Sequence, residues 1–450
     1  MKLRYTLLCF VASLLPAYGL FAQESKAASP RRITLEEAVQ MALKHNHVVR
    51  IGRYKVEEKE HTKEIARGAY FPIFRNDSNV LRVTDTQFIG IPAGSLGTIG
   101  GVPLPERSVI LNQGGRTFLT SGTSLTQPLT QLLKVKSAND FALAELNATR
   151  DKARQTENVV ALRVHQLYYR ILIAEAHREA TQAKIKATED LQNERTAQVK
   201  LGSSLEEEAI ESRAQSLEAK QDLLTTELQL SDLTMQLNDV IGLPLTTALT
   251  FDNGVRNVGE ICEREACLRA ALEAHPEIAE ARAEVEKASA AVRLSKRQYL
   301  PDVEGFARYS YQDNVPFLAR NFGTFGVHFG YDLFDGGRKR AAVDEHKAQL
   351  AQAQENLARV TEEIELRVQS AYNKLDRTRQ MVAVSEELLK LRSESSRVTA
   401  QQLQEGSALR SQAAAAAARE LEARTLLLQS QLDYIQARDE MTEAMGQSPE

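Results

Sequence analysis

Along most of the chain the apolar positions recur at helical spacing. Val160, Val164, Leu167, Tyr168 and Ile171 share one face of a helix predicted over about 133–201. The stretch "KLGSSLEEEAIESRAQ" (200–215) breaks that helix, and a return helix follows over about 205–241. There Leu223, Leu230 and Leu237 stand seven residues apart, as do Leu217 and Leu224. Such spacing predicts coiled-coil packing rather than a globular core. The layout then recurs: a long helix over about 339–403, a break in "QEGSALRSQ" (404–412), and a return helix over about 408–445. In the second return helix, Leu427, Tyr434 and Met441, with Leu421 and Leu428, take the matching places. At about 1.5 Å per residue each long helix would span roughly 100 Å.

The recurrence is a tandem duplication. "NHVVRIGRYKVEEKEHTKEIARGAYFP" (46–72) aligns without a gap on "HPEIAEARAEVEKASAAVRLSKRQYLP" (275–301), at an offset of 229. Further on, Lys134 and Arg338, Val164 and Val368, Tyr168 and Tyr372, Gly202 and Gly406, and Gly242 and Gly446 all match at 204. The change of offset places 25 extra residues in the first half, in "TQFIGIPAGSLGTIGGVPLPERSVILNQGG" (86–115), whose Gly and Pro content predicts a long exposed loop. The expected units are residues 23–250 and 251–450. Each opens on a helix; the first is predicted from Leu35 to Tyr70, with Thr34 and Glu37 as a capping box and Pro72 as its stop.

Between the opening and long helices the period changes to two. In 322–334, Gly323, Phe325, Val327, Phe329, Tyr331 and Leu333 alternate with Thr324, Gly326, His328, Gly330 and Asp332. A strand with lipid on one side and water on the other reads this way. Strands are therefore expected over about 302–334, and within about 73–129 in the first half, where the alternation is weaker. A small water-soluble hairpin is the other reading of such segments. If lipid is correct, four strands from one chain cannot close a barrel, and an open sheet would leave unpaired backbone groups in hydrocarbon. Several chains must then pool their strands.

The first 22 residues, with Lys2 and Arg4 before an apolar run Leu7–Leu15 and small residues at Ala17, Gly19 and Ala22, predict a secretory signal peptide. Two cysteines follow it, Cys262 and Cys267. An oxidising compartment favours their pairing, which would require an irregular turn between them; two free thiols is the alternative. Net charge is −4 with both signs interspersed, which gives no footprint for nucleic acid. No Walker A, HExxH, GxSxG or spaced Cys/His ligand set is present, so neither an enzyme, a metal site nor a cofactor is expected.

The doubled order of helix, hairpin, long helix and Gly-Ser tip resembles the TolC-type outer-membrane efflux protein family. The residues that carry the resemblance are "ITLEEAVQMALKHNHVV" (33–49) and "ACLRAALEAHPEIAEA" (266–281), "ARGAYFP" and "SKRQYLP" before the strands, "YDLFDGGRKRAA" after them, and the tips "KLGSS" and "QEGSA". It implies a mainly α fold with a transmembrane β-barrel portion: a homotrimer with a 12-strand barrel set in outer-membrane lipid and a coiled-coil tunnel in the periplasm. It also implies an exit duct for a tripartite efflux pump or type I secretion, partnered by a periplasmic adaptor and an inner-membrane transporter. A soluble periplasmic scaffold or adaptor without a pore is the alternative.

On this reading the tips, 202–204 and 406–407, are the periplasmic turns. Gly202 and Gly406 would take positive φ, and Ser203 or Ser204, and Ser407, would cap the outgoing helices. The resemblance assigns adaptor docking to Leu201, Gly202, Ser203, Gly406, Ser407 and Leu409. Family members often carry aspartates six and nine residues past the tip glycine. Here those places hold Glu208 and Glu211 in the first half but Gln412 and Ala415 in the second. Glu208, with Glu211, is thus the expected acidic constriction; the plainer reading is an exposed acidic helix start favoured by the macrodipole.

Overall fold

The computed structural model describes residues 30–85, 88–112, 115–252, 262–315 and 319–449; the expected signal peptide, 1–22, lies outside them. The first half runs β1 (Arg31–Ile33), α1 (Leu35–His45), α2 (His47–Gly68), β2 (Ile73–Arg82), then the short strands β3 (Phe88–Ile91), β4 (Thr98–Ile99), β5 (Val102–Pro103) and β6 (Val109–Asn112). It continues through β7 (Thr117–Pro128), α3 (Gln131–Lys200), α4 (Glu206–Ile241) and β8 (Leu249–Phe251). The second half runs α5 (Arg264–Ala274), α6 (Pro276–Arg297), β9 (Asp302–Asp313), β10 (Asn321–Gly330), α7 (Arg338–Gln404) and α8 (Arg410–Ala444).

Helices α3 and α7, of 70 and 67 residues, run the length of the molecule. Near the strands the helices form one layer in the order α2, α3, α6, α7; towards the tips the order is α4, α3, α8, α7. The layer is open. One edge is α2 and α4, the other is α7. This explains the fate of the seven-residue series. On α4, Leu237 is buried and Leu223 and Leu230 are half-buried against neighbours, but Leu217 and Leu224 are 58% and 67% exposed on the free edge. Their counterparts on α8, Leu421 and Leu428, are half-buried because α8 sits between α3 and α7.

Two apolar clusters hold the middle of the layer together. One joins Ile33, Ala38 and Ala42 to Val164, Leu167, Tyr168 and Ile171 of α3, Leu237 and Ile241 of α4, and Leu432 and Ile435 of α8. The other joins Cys267 and Ala271 of α5, Ile278 and Ala281 of α6, Val360, Ile364 and Val368 of α7, and Met441 of α8. Between α3 and α8 a polar contact is buried: His165 Nδ1 lies 2.7 Å from Asp439 Oδ2, which also accepts from the Tyr169 hydroxyl at 3.1 Å.

Thr34 and Glu37 form the expected capping box of α1. The opening helix is not continuous to Tyr70, however. Asn46 adopts an extended ψ of 130°, and its side chain accepts from the Val48 and Val49 amides, so α2 starts afresh. His275 does the same in the second half, its ring accepting from the Glu277 amide, with Pro276 in the first turn of α6. These breaks receive the glycines that end the return helices. A Cβ on Gly242 would lie 2.7 Å from the His45 Cβ, and one on Gly446 would lie 2.8 Å from the His275 Cα. Both glycines have positive φ, so shape and dihedral both demand glycine.

The pairing of β1 with β8, parallel, closes the first half and has no signal in the residue pattern. The described residues of the 86–115 loop are mostly exposed but not structureless: β3 pairs with β6 and β4 with β5. Cys262, just before α5, is disulfide-bonded to Cys267 within it, so the irregular turn that pairing requires is the entry to α5.

Candidate functional site: the sheet face and the helix tips

Strands β10, β9, β7 and β2, in that order, form one antiparallel sheet with strands of 10 to 12 residues. That length suits a tilted membrane-crossing strand. The expected strand over 322–334 ends early, at Gly330. Tyr331 and Leu333 belong to the turn into α7, where Gly336 and Gly337 both take positive φ. Asp335 organises that turn, accepting from the Gly337 and Lys339 amides at 2.9 Å each. Those backbone donors, and Lys339 itself, hold its carboxyl below the usual carboxylate range.

The register shows a sorting that the individual strands conceal. Arg308 pairs with Thr324 and Ser124, and Ser124 with Arg75; hence Arg75, Asp77, Asp302, Glu304, Arg308 and His328 all share one face. The other face carries Phe74, Val80, Leu119, Leu125, Ala307, Tyr309, Phe325, Val327 and Phe329. Its only charged residues, Arg82 and Asp313, stand at strand ends. Phe325 and Phe74 are 87% and 75% exposed there. The first-half strands looked weakly patterned because this face also holds Asn76, Ser78, Ser121 and Thr123. These satisfy one another: Asn76 Nδ2 donates to Thr123 Oγ1 at 2.7 Å, and the Ser78 and Ser121 hydroxyls lie 2.8 Å apart. The outer strands β2 and β10 each present one unpaired edge.

The joint between sheet and helices is polar. Thr130 Oγ1 donates to the Pro301 carbonyl at 2.7 Å and accepts from the Val303 amide at 2.8 Å. Lys134 Nζ pairs with Asp302 at 2.6 Å, and Gln131 donates to Glu304 at 3.1 Å. The long helix α3 is thereby fixed to the first turns of β9.

At the opposite end the two tips share one backbone design. Gly202 and Gly406 have φ of 70° and 74°, and the next amides reach back to the Gln198 and Gln402 carbonyls at 3.0 and 2.9 Å. Ser203 and Ser407 do not cap the outgoing helices. Their hydroxyls donate to those same carbonyls, at 3.0 and 3.1 Å, and so terminate the incoming ones. The outgoing helices start at Leu205 and Leu409, where only Gln412 reaches back, accepting from the Leu409 amide at 3.1 Å. Leu201 and Leu409 are exposed, at 82% and 48%. Leu205, 67% exposed, is the counterpart of Leu409 at the 204 offset.

In chemistry the tips differ. Glu206, Glu207 and Glu208 form the acidic first turn of α4. Glu208 is held within its own hairpin, by Arg195 Nη1 at 2.9 Å and Ser204 Oγ at 2.5 Å. Glu211, one turn on and exposed, accepts from Gln215 at 3.2 Å. The second tip has no equivalent acid. Among the described residues no group of His, Cys, Asp and Glu is placed to hold a metal ion, and no helix is long and apolar enough to cross a membrane.

Residues 267–447 match the family model described as outer membrane efflux protein. No curated protein matches the sequence. Among solved structures, a membrane protein from Pseudomonas aeruginosa superimposes with a TM-score of 0.74 at 18% identity, covering 92% of this chain and 93% of its own. The CmeC outer membrane channel of Campylobacter jejuni gives 0.74 at 13% identity, covering 92% and 85%. The open state of the MtrE outer membrane channel of Neisseria gonorrhoeae gives 0.71 at 15%, covering 92% and 89%. The chain is thus similar to the TolC-type outer-membrane efflux proteins, in sequence across its second half and in fold across nearly all of it. Proteins of that family are channels, not enzymes.

Proposed function

We propose that this protein is the outer-membrane channel-tunnel of a tripartite efflux pump or type I secretion system. It conducts solutes passively from a periplasmic adaptor and inner-membrane transporter to the exterior. After a signal peptide of residues 1–22, its two repeats, 23–250 and 251–450, build one segment of a closed ring. The observation that carries this reading is the sorting of charge: one face of a sheet with two open edges is bare and carries charge only at its strand ends, the other holds nearly all its charges. Lipid on one side and water on the other accounts for both, and closure removes the edges.

The duplication supports closure by neighbouring chains. Inside the chain, the first repeat meets the second through β7 against β9, α3 against α6, and α3 against α8. The repeat equivalents of those contacts are β10 against β2, α7 against α2, and α7 against α4. Those are the free edges of the sheet and of the helical layer, left exposed with Leu217 and Leu224 on α4 and Leu366, Val384 and Leu391 on α7. A second copy meets them head to tail, and such contacts close into a ring. With the family's trimer the barrel has twelve strands.

We assign the tips, through Leu201, Gly202, Ser203, Gly406, Ser407 and Leu409, with Leu205 added, to the adaptor. Glu208 and Glu211 form the acidic constriction. The test is the mass of the protein extracted from outer membranes in mild detergent, followed by conductance in planar bilayers. A trimer that conducts is expected; a monomer or dimer released without detergent would replace the channel with a soluble scaffold.

A further inference from the structure

On the polar face of the sheet two long side chains of β9 do not project; they lie flat across glycines of the neighbouring strands. A Cβ on Gly122 of β7 would stand 2.7 Å from Arg308 Nε and 2.9 Å from its Cζ. One on Gly326 of β10 would stand 3.1 Å from Phe306 Cζ. Neither glycine has a positive φ, so the backbone does not require glycine at either place. What requires it is the close approach of the guanidinium and of the ring. Both glycines thus clear a shelf on the wall for a neighbour.

Over the whole face the charges balance, Arg75, Arg308 and Lys134 against Asp77, Asp302 and Glu304, but they are unevenly placed. Asp77 is engaged by Arg75 Nε at 2.9 Å, Asp302 by Lys134 at 2.6 Å, and Glu304 by the Gln131 amide at 3.1 Å. Arg308 makes no ion pair among the described residues, and its immediate cross-strand partners are Thr324 and Ser124. On this face the carboxylates of β9, Asp302 and Glu304, stand at its helix-side end, while Arg308 sits mid-strand, level with Arg75. The middle of the wall therefore carries two guanidiniums, Arg75 and Arg308, against the single carboxylate of Asp77, which stands opposite Gly122: a net charge of +1 per chain, with the Arg308 donors turned along the wall.

We propose that Arg308, laid on the shelf that Gly122 leaves, is the anion-selecting residue of the barrel lumen, and that it binds carboxylate or phosphate groups of solutes passing along this face. The proposal rests on the channel reading. Repeated around a closed wall, Arg308 makes a cationic band in a low-dielectric sleeve, where a few charges set the local ion concentration. Because the side chain lies flat, the band does so without narrowing the passage. The tunnel then changes sign along its length, acidic at the Glu208 tip and basic at the mid-strand band of the sheet.

The test is reversal potential in a KCl gradient, together with block by citrate added on the sheet side, for the full-length protein in planar bilayers. In Arg308→Gln the anion-to-cation permeability ratio is expected to fall roughly threefold or more, and citrate block to weaken by a similar factor. Arg308→Lys should retain the preference. Gly122→Ala, which pushes the guanidinium off its shelf into the lumen, should lower conductance while keeping the ion preference. A conducting Arg308→Gln channel with unchanged reversal potential overturns the proposal, as does wild-type protein that conducts but is not blocked by citrate. The second result needs no variant to fold. Wild-type protein that forms no channel at all would instead overturn the channel reading.

Discussion

The two return helices are copies in sequence and opposites in circumstance. Helix α8 lies between α3 and α7, so Leu421 and Leu428 are half-buried and a carboxylate, Asp439, is buried. Helix α4 packs on α3 alone along its tip-side length, and the matching Leu217 and Leu224 face outward. The same heptad pattern is thus partly packed within the chain in one repeat and left as an open face in the other. Apolar periodicity specifies that a face will be covered; it does not specify by which chain.

The comparison is broken most completely on α4. Leu217→Glu combined with Leu224→Glu should leave the single chain folded and helical but abolish its assembly, read as a shift from oligomer to monomer in detergent. The same charges at Leu421 and Leu428 should unfold the chain itself. Next in size is the buried contact that only α8 makes. Asp439→Ala leaves His165 and the Tyr169 hydroxyl buried without their shared acceptor, a loss of about 3–5 kcal/mol measurable by denaturant titration. At the 204 offset the same places hold Gln369, Asn373 and Met235, a set with no carboxylate to lose. The triple change His165→Gln, Tyr169→Asn and Asp439→Met should therefore cost less than Asp439→Ala alone.

The glycines give a graded pair. Gly446→Ala meets both a positive φ and the close contact with His275 and Pro276, and should cost roughly 2–4 kcal/mol. Gly406→Ala at the tip meets only the dihedral, with nothing within 4 Å of its Cβ, and should cost about 1 kcal/mol. A thermal melt of each would rank them.

His275 provides a pH dependence that the first-half copy, Asn46, cannot have. Burial, the largest influence, and the nearby Arg367 push its pKa below the ordinary histidine value, against Glu277 and the Glu443 backbone. In the folded state it therefore binds its proton less readily than in the unfolded chain. Its stability contribution is full above about pH 6.5 and is lost as pH falls through the window below, at up to about 1.4 kcal/mol per pH unit. Burial also raises the Glu443 carboxyl pKa nearby, so that group titrates in the opposite sense and the whole-protein slope is smaller. His275→Asn, copying the first half, should flatten the melting temperature between pH 7.5 and 5.5. The smallest stability effect is at the tip. Glu208→Gln removes a half-exposed pair with Arg195, expected to change stability by less than about 1 kcal/mol. Yet it should reduce cation selectivity and divalent block if Glu208 lines the constriction; an unchanged channel would leave the acids as an ordinary helix start.

Much of this was legible in the residues. The duplication located the long helices, the tips and the glycines that repeat at 204, because a break in a strong helical period is a local event. The capping box at Thr34 is equally local. The helix break at Asn46 was missed because its cause is a side chain turned back on two amides, within a stretch of unbroken helical composition. The capping role of Ser203 and Ser407 was misread for a related reason: a serine after a tip glycine can serve either helix, and only the path of the backbone decides.

By itself, the sequence determined that the chain is written twice, that each copy turns from helix to strand and back, and that each tip requires a glycine in the left-handed region. The strand pairing decided the rest. Which side of the sheet faces lipid depends on register, since one residue of slip exchanges the faces, and Asn76, Ser78, Ser121 and Thr123 hide the apolar side until their mutual hydrogen bonds are seen. The shelf under Arg308 exists only because Gly122 lies diagonally beside it on another strand, 186 positions earlier in the chain. Periodicity acts between neighbours along the chain, and contacts of that separation are set by how the two repeats meet.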